Sequence, residues 1–132
     1  MSVIVDTCIW SIALRRQNTS TSISHSLSRL IEANEIVMLG AIRQEILSGI
    51  RNPAQFEKLR DRLRRFTDVR VTLQDYELAA EYFNLCRRKG VQGSNTDFLI
   101  CAVSSRLGVT IWTMDRDFEN FQQYLPIELE KF

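Results

Sequence analysis

Histidine is nearly absent from this sequence: of 132 residues only His25 is one. Chemistry that passes protons between two histidines is therefore excluded, and any Ser/His/Asp or Cys/His site would have to be built on His25. The three cysteines, Cys8, Cys86 and Cys101, are far apart and form no C-x-x-C pair, so neither a zinc site nor a disulfide framework is expected. They read as small buried hydrophobes of a reducing compartment. Only two prolines and five glycines occur, and no linker, repeat or low-complexity tract divides the chain. An excess of one charge is missing too. Seventeen Lys and Arg face sixteen Asp and Glu, a net +1, which excludes a uniformly basic nucleic-acid coat and an acidic tail. No apolar run approaches the ~20 residues of a membrane span, and the first residues lack a basic n-region. A cytoplasmic protein with no membrane partner is expected.

What is present fits one domain over residues 1–132, with 45% hydrophobic residues to fill a core. Val3-Ile-Val5 is a short apolar β-branched run, the pattern of a strand covered on both faces, and it stops at Asp6. Further strands are expected at Ile36–Leu39, Val69–Val71 and Thr110–Trp112, with a terminal edge strand in Pro126–Phe132. Between them lie helical stretches. After a first helix ending near Arg15 and Arg16, Ile23, Leu27, Leu30 and Ile31 make one stripe from Ser22, leaving His25 off it and exposed. Ala41 to about Leu47 carries Glu45, and Asn52-Pro53 opens the next helix. Thr72-Leu-Gln-Asp75 has capping-box spacing at the start of a long helix closed by Arg87-Arg-Lys89 and Gly90. Thr96 to Leu107 forms another, and Asp115 to Phe121 leads from a loop into a short one. Alternating strands and helices argue an α/β fold with a mostly parallel sheet, whose ligands sit at the carboxyl ends of the strands.

The polar residues expected at those ends are acids. Asp6 follows the first strand, Asp115 and Asp117 follow Thr110–Trp112 after Thr113-Met114, and Glu45 and Asp97 lie on helices near the same rim. Taken singly each has a plain reading: Asp97 as a helix-capping acid, Glu45 as a solvated face, Asp115-Arg-Asp117 as loop. Together they would repel, by roughly 3 kcal/mol per ionised pair at ~5 Å and an effective dielectric of ~20, unless they gain protons or bind a cation. All-oxygen ligation without histidine or cysteine suits Mg²⁺ or Mn²⁺ better than zinc. No P-loop, dinucleotide fingerprint or nucleophile elbow is present. A haloacid-dehalogenase phosphatase would need an aspartate where Cys8 stands. A phosphoacceptor receiver domain would need an acid in place of Thr7 after Asp6 and an aspartate in place of Thr72 after the third strand.

Four blocks, Val3-Ile-Val-Asp-Thr7, Gln44-Glu-Ile-Leu-Ser-Gly49, Asn95-Thr-Asp-Phe-Leu-Ile-Cys-Ala102 and Thr113-Met-Asp-Arg-Asp-Phe118, occur in this order along the whole chain. In that pattern the sequence resembles the PIN-domain ribonucleases, and most closely the toxin subunits of VapBC-type toxin–antitoxin pairs. The resemblance implies a three-layer α/β/α sandwich with strand order 3-2-1-4-5. It also implies a metal-dependent endoribonuclease: Asp6, Glu45, Asp97 and Asp115 as the catalytic acids, with Asp6, Asp97 and Asp115 as Mg²⁺ ligands (Mn²⁺ as substitute). Asp117 is a second candidate for the fourth acid, Thr113 would orient carboxylates, and Thr7 is a further candidate beside Asp6. Its partners would be RNA, a second copy in a homodimer, and a VapB-like antitoxin lying over the acidic groove in a hetero-oligomer. RNA also needs cations. Residues 51–70 hold seven basic and three acidic residues, a net +4, so Lys58, Arg62 and Arg65, with Arg15 and Arg16, are candidate phosphate contacts. Helical pairing of Glu57 with Arg60 and of Asp61 with Arg65 would leave part of this charge as a solvated face. A non-catalytic RNA-binding or interaction module on the same scaffold is the alternative function.

Overall fold

The computed structural model describes residues 1–15, without the Arg15 side chain, and 22–132. Its elements in chain order are β1 (Val3–Val5), α1 (Thr7–Arg15), α2 (Ser22–Glu32), β2 (Ile36–Val37), α3 (Gly40–Leu47), α4 (Pro53–Leu63), α5 (Leu73–Arg88), α6 (Asn95–Leu107), β3 (Thr110–Trp112) and α7 (Asp117–Gln122). β1 lies centrally, parallel to β2 with Val3 opposite Ile36, and parallel to β3 with Val3 opposite Thr110. Every residue of β1 and β3 is buried, as expected of strands with helices on both faces.

The outer strands expected at Val69–Val71 and Pro126–Phe132 are reduced to single parallel bridges. Asp68 bridges Met38, and Leu129 bridges Ile111. The described sheet is thus three strands in the order β2-β1-β3 rather than five in the order 3-2-1-4-5. On the C-terminal flank the Ile111 amide donates to the Glu128 carbonyl and the Glu130 amide to the Ile111 carbonyl, whereas around the Val69–Val71 flank side chains take up backbone acceptors. The Arg43 guanidinium donates to the carbonyls of Leu63 and Phe66 and to the Asp68 carboxylate. Arg106 donates to the Arg70 carbonyl at 3.0 Å and to both oxygens of Asp75 at 2.7 and 2.9 Å. Backbone acceptors satisfied by arginine have no need of a neighbouring strand.

Helix boundaries follow local chemistry. Asn52 accepts from the Ala54 and Gln55 amides ahead of Pro53, and Thr72 with Asp75 makes the expected capping box. A second capping box opens α6: Ser94 Oγ accepts from the Asp97 amide while Asp97 accepts from the Ser94 amide. α6 is buried without a break from Phe98 to Ser104 because α5 packs on one side of it and β3 on another. Phe98, Phe118, Phe121, Ile4, Ile9 and Ile111 are among the fully buried side chains of one continuous core, each contributing about 1.5–3 kcal/mol by leaving water. Cys86 and Cys101 lie in that core and His25 is exposed, as the sequence predicts. Among the described residues no helix is long and apolar enough to cross a membrane.

Candidate functional site

Asp6 is held by the ends of two neighbouring strands. Its amide completes the ladder to the Trp112 carbonyl at 2.9 Å, and its own carbonyl receives the Ile9 amide as α1 begins. The residue is 7% exposed, and two firm donors stabilise its charge: the Thr7 amide on Oδ1 at 2.8 Å and the Thr113 hydroxyl on Oδ2 at 2.7 Å. The same threonines reach two more acids. Thr7 Oγ1 donates to Glu45 Oε1 at 2.9 Å, and Thr113 Oγ1 accepts from the Asp115 amide at 3.0 Å. Glu45, Thr7, Asp6, Thr113 and Asp115 therefore form one hydrogen-bonded line across the carboxyl ends of β1 and β3.

Asp97 joins this line through its field. Partial burial raises its carboxyl pKa above the ordinary range, the Ser94 amide and hydroxyl oppose that rise, and the negative charges of Asp6 and Asp115 add to it. The loop before Asp97 is pressed inward at Gly93. A Cβ there would lie 2.5 Å from Phe121 Cζ and 3.0 Å from Phe98 Cε2, so only glycine lets the backbone pass over these two rings and set the Ser94–Asp97 cap in place. Asp115 Oδ1 accepts from the Asp117 amide at 2.9 Å, and Asp117 itself is exposed as the first residue of α7.

Four expected acids are thus linked or electrostatically coupled, yet they do not form a finished cage. Among the described residues no three His, Cys, Asp or Glu side chains are gathered closely enough to hold an ion. The expectation that four carboxylates crowd together is corrected to this extent: each turns toward a hydrogen-bond donor, which separates like charges. Donor chemistry nonetheless fits a hard cation. The candidate ligands are all carboxylate oxygens, and among the described residues Asp97 Oδ1 and Asp115 Oδ2 receive no hydrogen bond.

Cys8 departs from its expected role as a buried hydrophobe. It is half-buried, its thiol donates to Asp6 Oδ2 at 3.7 Å, its Sγ lies 3.6 Å from Thr113 Oγ1, and it accepts from the Met114 amide at 3.4 Å. Burial raises its thiol pKa, the Met114 and Thr113 contacts lower it, and the charge of Asp6 adds to the rise. Its position two residues after Asp6 was the available signal.

Lys58, Arg62 and Arg65 are exposed on or just beyond α4. Arg62 and Arg65 rim a groove of about 490 Å³ whose floor includes Trp10, Leu14, Leu27 and Phe66, and the Arg65 guanidinium lies 5.4 Å from the Phe66 ring centre. Asp61 pairs with Arg60 at 3.1 Å and Arg64 at 3.8 Å, not with Arg65 as the spacing suggested. Arg16 and the side chain of Arg15 lie outside the described residues.

Known structures share this arrangement of elements. The VapBC2 complex from Rickettsia felis bound to a DNA fragment from its promoter contains a chain that matches with a TM-score of 0.79 at 21% identity, covering 100% of this chain and 99% of that one. FitAcB from Neisseria gonorrhoeae matches with a TM-score of 0.78 at 16% identity, covering 98% and 96%. FitAB bound to the IR36 DNA fragment gives 0.74 at 17% identity, covering 97% and 93%. At such identities the likeness is one of fold. The family model for the PIN domain matches residues 3–123, nearly the whole chain, so the protein belongs to the PIN domain family, whose members are generally nucleases.

Proposed function

We propose that the chain is a metal-dependent endoribonuclease, the VapC-type toxin of a toxin–antitoxin pair. The observation that carries this reading is the line Glu45–Thr7–Asp6–Thr113–Asp115 at the strand ends, with Asp97 electrostatically coupled to it. Asp6, Asp97 and Asp115 would hold Mg²⁺, or Mn²⁺ in its place, with Glu45 completing the acidic set. When bound, such an ion supplies an acidified water as nucleophile and neutralises charge on the scissile phosphodiester. Asp115 is the better fourth acid than Asp117, because Thr113 ties it to Asp6 and its charge acts on Asp97.

The chain's own groups supply orientation. Thr113 gives its hydroxyl proton to Asp6 and holds the Asp115 backbone, so both strand ends move as one unit. Thr7 does the same for Asp6 and Glu45, through its amide and its hydroxyl. Preorganised carboxylates lose little entropy when a cation and a phosphate arrive. Lys58, Arg62 and Arg65 are the described cations proposed to meet the RNA backbone.

As in VapBC2 and FitAB, which are two-component complexes by name, the proposed partner is an antitoxin. It would cover the acidic site and offer a cation to it, and a homodimer of the toxin is the proposed assembly. The test is RNA cleavage by purified wild type and Asp97→Asn in Mg²⁺ and in excess EDTA, with 5′ ends mapped after induction in cells. Metal-dependent cuts bearing 5′-phosphates, absent in the variant, are expected. Undiminished cleavage in EDTA, or full activity in the variant, overturns the reading. RNA binding without cleavage would favour the non-catalytic module.

A further inference from the structure

Thr113 Oγ1 has three hydrogen-bonding valences, one proton and two lone pairs. The proton goes to Asp6 Oδ2 at 2.7 Å, and one lone pair receives the Asp115 amide at 3.0 Å. Cys8 Sγ lies 3.6 Å from the same hydroxyl and donates its single proton to Asp6 Oδ2 at 3.7 Å, the carboxylate oxygen that Thr113 also serves. The same sulfur accepts from the Met114 amide at 3.4 Å. The sulfur therefore joins Asp6 Oδ2 to the loop that carries Asp115, while its own residue stands on α1 two positions after Asp6.

From this arrangement we infer that Cys8 is a positioning residue: its thiol ties Asp6 Oδ2 to the Met114 amide, and so fixes Asp6 and Asp115 relative to each other. This rests on the reading of Asp6 and Asp115 as cation ligands. Cys8 meets no substrate atom, and acts only through the Asp6 carboxylate and the loop. Serine at this position preserves both donor and acceptor, whereas valine preserves bulk and removes both.

The test compares wild type, Cys8→Val and Cys8→Ser, with Asp6→Asn as the control, using two measurements. Amide hydrogen exchange at Met114 and Asp115 is followed by NMR in metal-free protein, and Mn²⁺ binding is followed by calorimetry. Cys8→Val is expected to exchange both amides at least tenfold faster and to bind Mn²⁺ several-fold more weakly, with the melting temperature little changed. Cys8→Ser is expected to restore most of both. Wild-type exchange and wild-type Mn²⁺ affinity in a folded Cys8→Val protein overturn the inference, as does failure of serine to rescue either measurement. Should wild type bind no Mn²⁺ while exchange responds as expected, the metal-site reading fails and the loop-pinning role stands.

Discussion

Replacing Asp6 by Asn removes one charge from the centre of the site and almost no volume. Two terms act on the fold. The amide oxygen keeps the Thr7 amide bond, but its NH₂ then faces the Thr113 hydroxyl, which donated to the carboxylate and whose oxygen already accepts from the Asp115 amide. One bond is given up, at about 1 kcal/mol. Loss of the Asp6 charge opposes this by relieving its repulsion with Asp97. The melting temperature should therefore stay within about 5 °C of wild type. Cation binding has no such compensation. A carboxylate and a divalent ion ~5 Å apart attract by roughly 6 kcal/mol at an effective dielectric of ~20. Even half of that, allowing for solvent at an open rim, is about 3 kcal/mol, or a hundredfold in Kd. Calorimetric titration with Mn²⁺ should show at least that loss, and RNA cleavage should fall in parallel. The Asp97 carboxyl, followed by carbon-13 NMR, should titrate at lower pH than in wild type but still above the ordinary range, since burial is the larger cause of its rise. A folded Asp6→Asn protein with wild-type Mn²⁺ affinity would refute the reasoning.

Other perturbations test other parts of the structure. Gly93→Ala forces a methyl against Phe121 and Phe98, both fully buried; overpacking of about 1–3 kcal/mol is expected in denaturant melts, together with reduced cleavage because Asp97 shifts with its cap. Asp75 is 1% exposed, and its pKa is lowered chiefly by the Arg106 hydrogen bond. A lowered carboxyl pKa stabilises the fold above its unfolded value of 3.8, and that stability is lost as pH falls through the folded value. Thermal melts of Asp75→Asn should accordingly show a lower melting temperature than wild type at pH 7 and a smaller further drop on acidification. Equal acid sensitivity of the two proteins would contradict the assignment. If Arg62 and Arg65 meet phosphates, Arg62→Ala and Arg65→Ala should each reduce the slope of log affinity against log salt by about 1 in RNA-binding titrations.

Much of the site was legible because its acids are tied to short-range signals. Asp6 ends an apolar run of three residues, and Asp115 follows another by two residues, so the strands that place them could be read directly. The outer strands are shorter than the sequence suggests, and around Val69–Val71 the contacts that shape the flank are long-range. Arg43 reaches carbonyls about twenty residues away and Arg106 reaches one thirty-six away, and no local pattern announces such contacts. Cys8 was misread for the same reason. Its apolar neighbours argue for the core, while the polar atoms that claim its sulfur come from Thr113 and Met114 at the other end of the chain. Asp61 chose Arg60 and Arg64 over Arg65, a choice among neighbouring cations that spacing alone does not settle, and Arg65 lies instead beside the Phe66 ring.

The truncated flanks of the sheet matter beyond the site. A three-stranded parallel sheet exposes two rows of backbone donors and acceptors, each a template on which another molecule can add a strand. Here one flank ends in a single bridge at Asp68, with the carbonyls of Phe66 and Arg70 already taken by guanidinium groups. The other ends in a bridge at Leu129, with Phe132 stacked edge-on against Trp112 at 4.8 Å between ring centres. Each flank of the described sheet is thus met by a bridging segment. A sheet edge met by such a bridge is a poorer template for a second copy than a bare one.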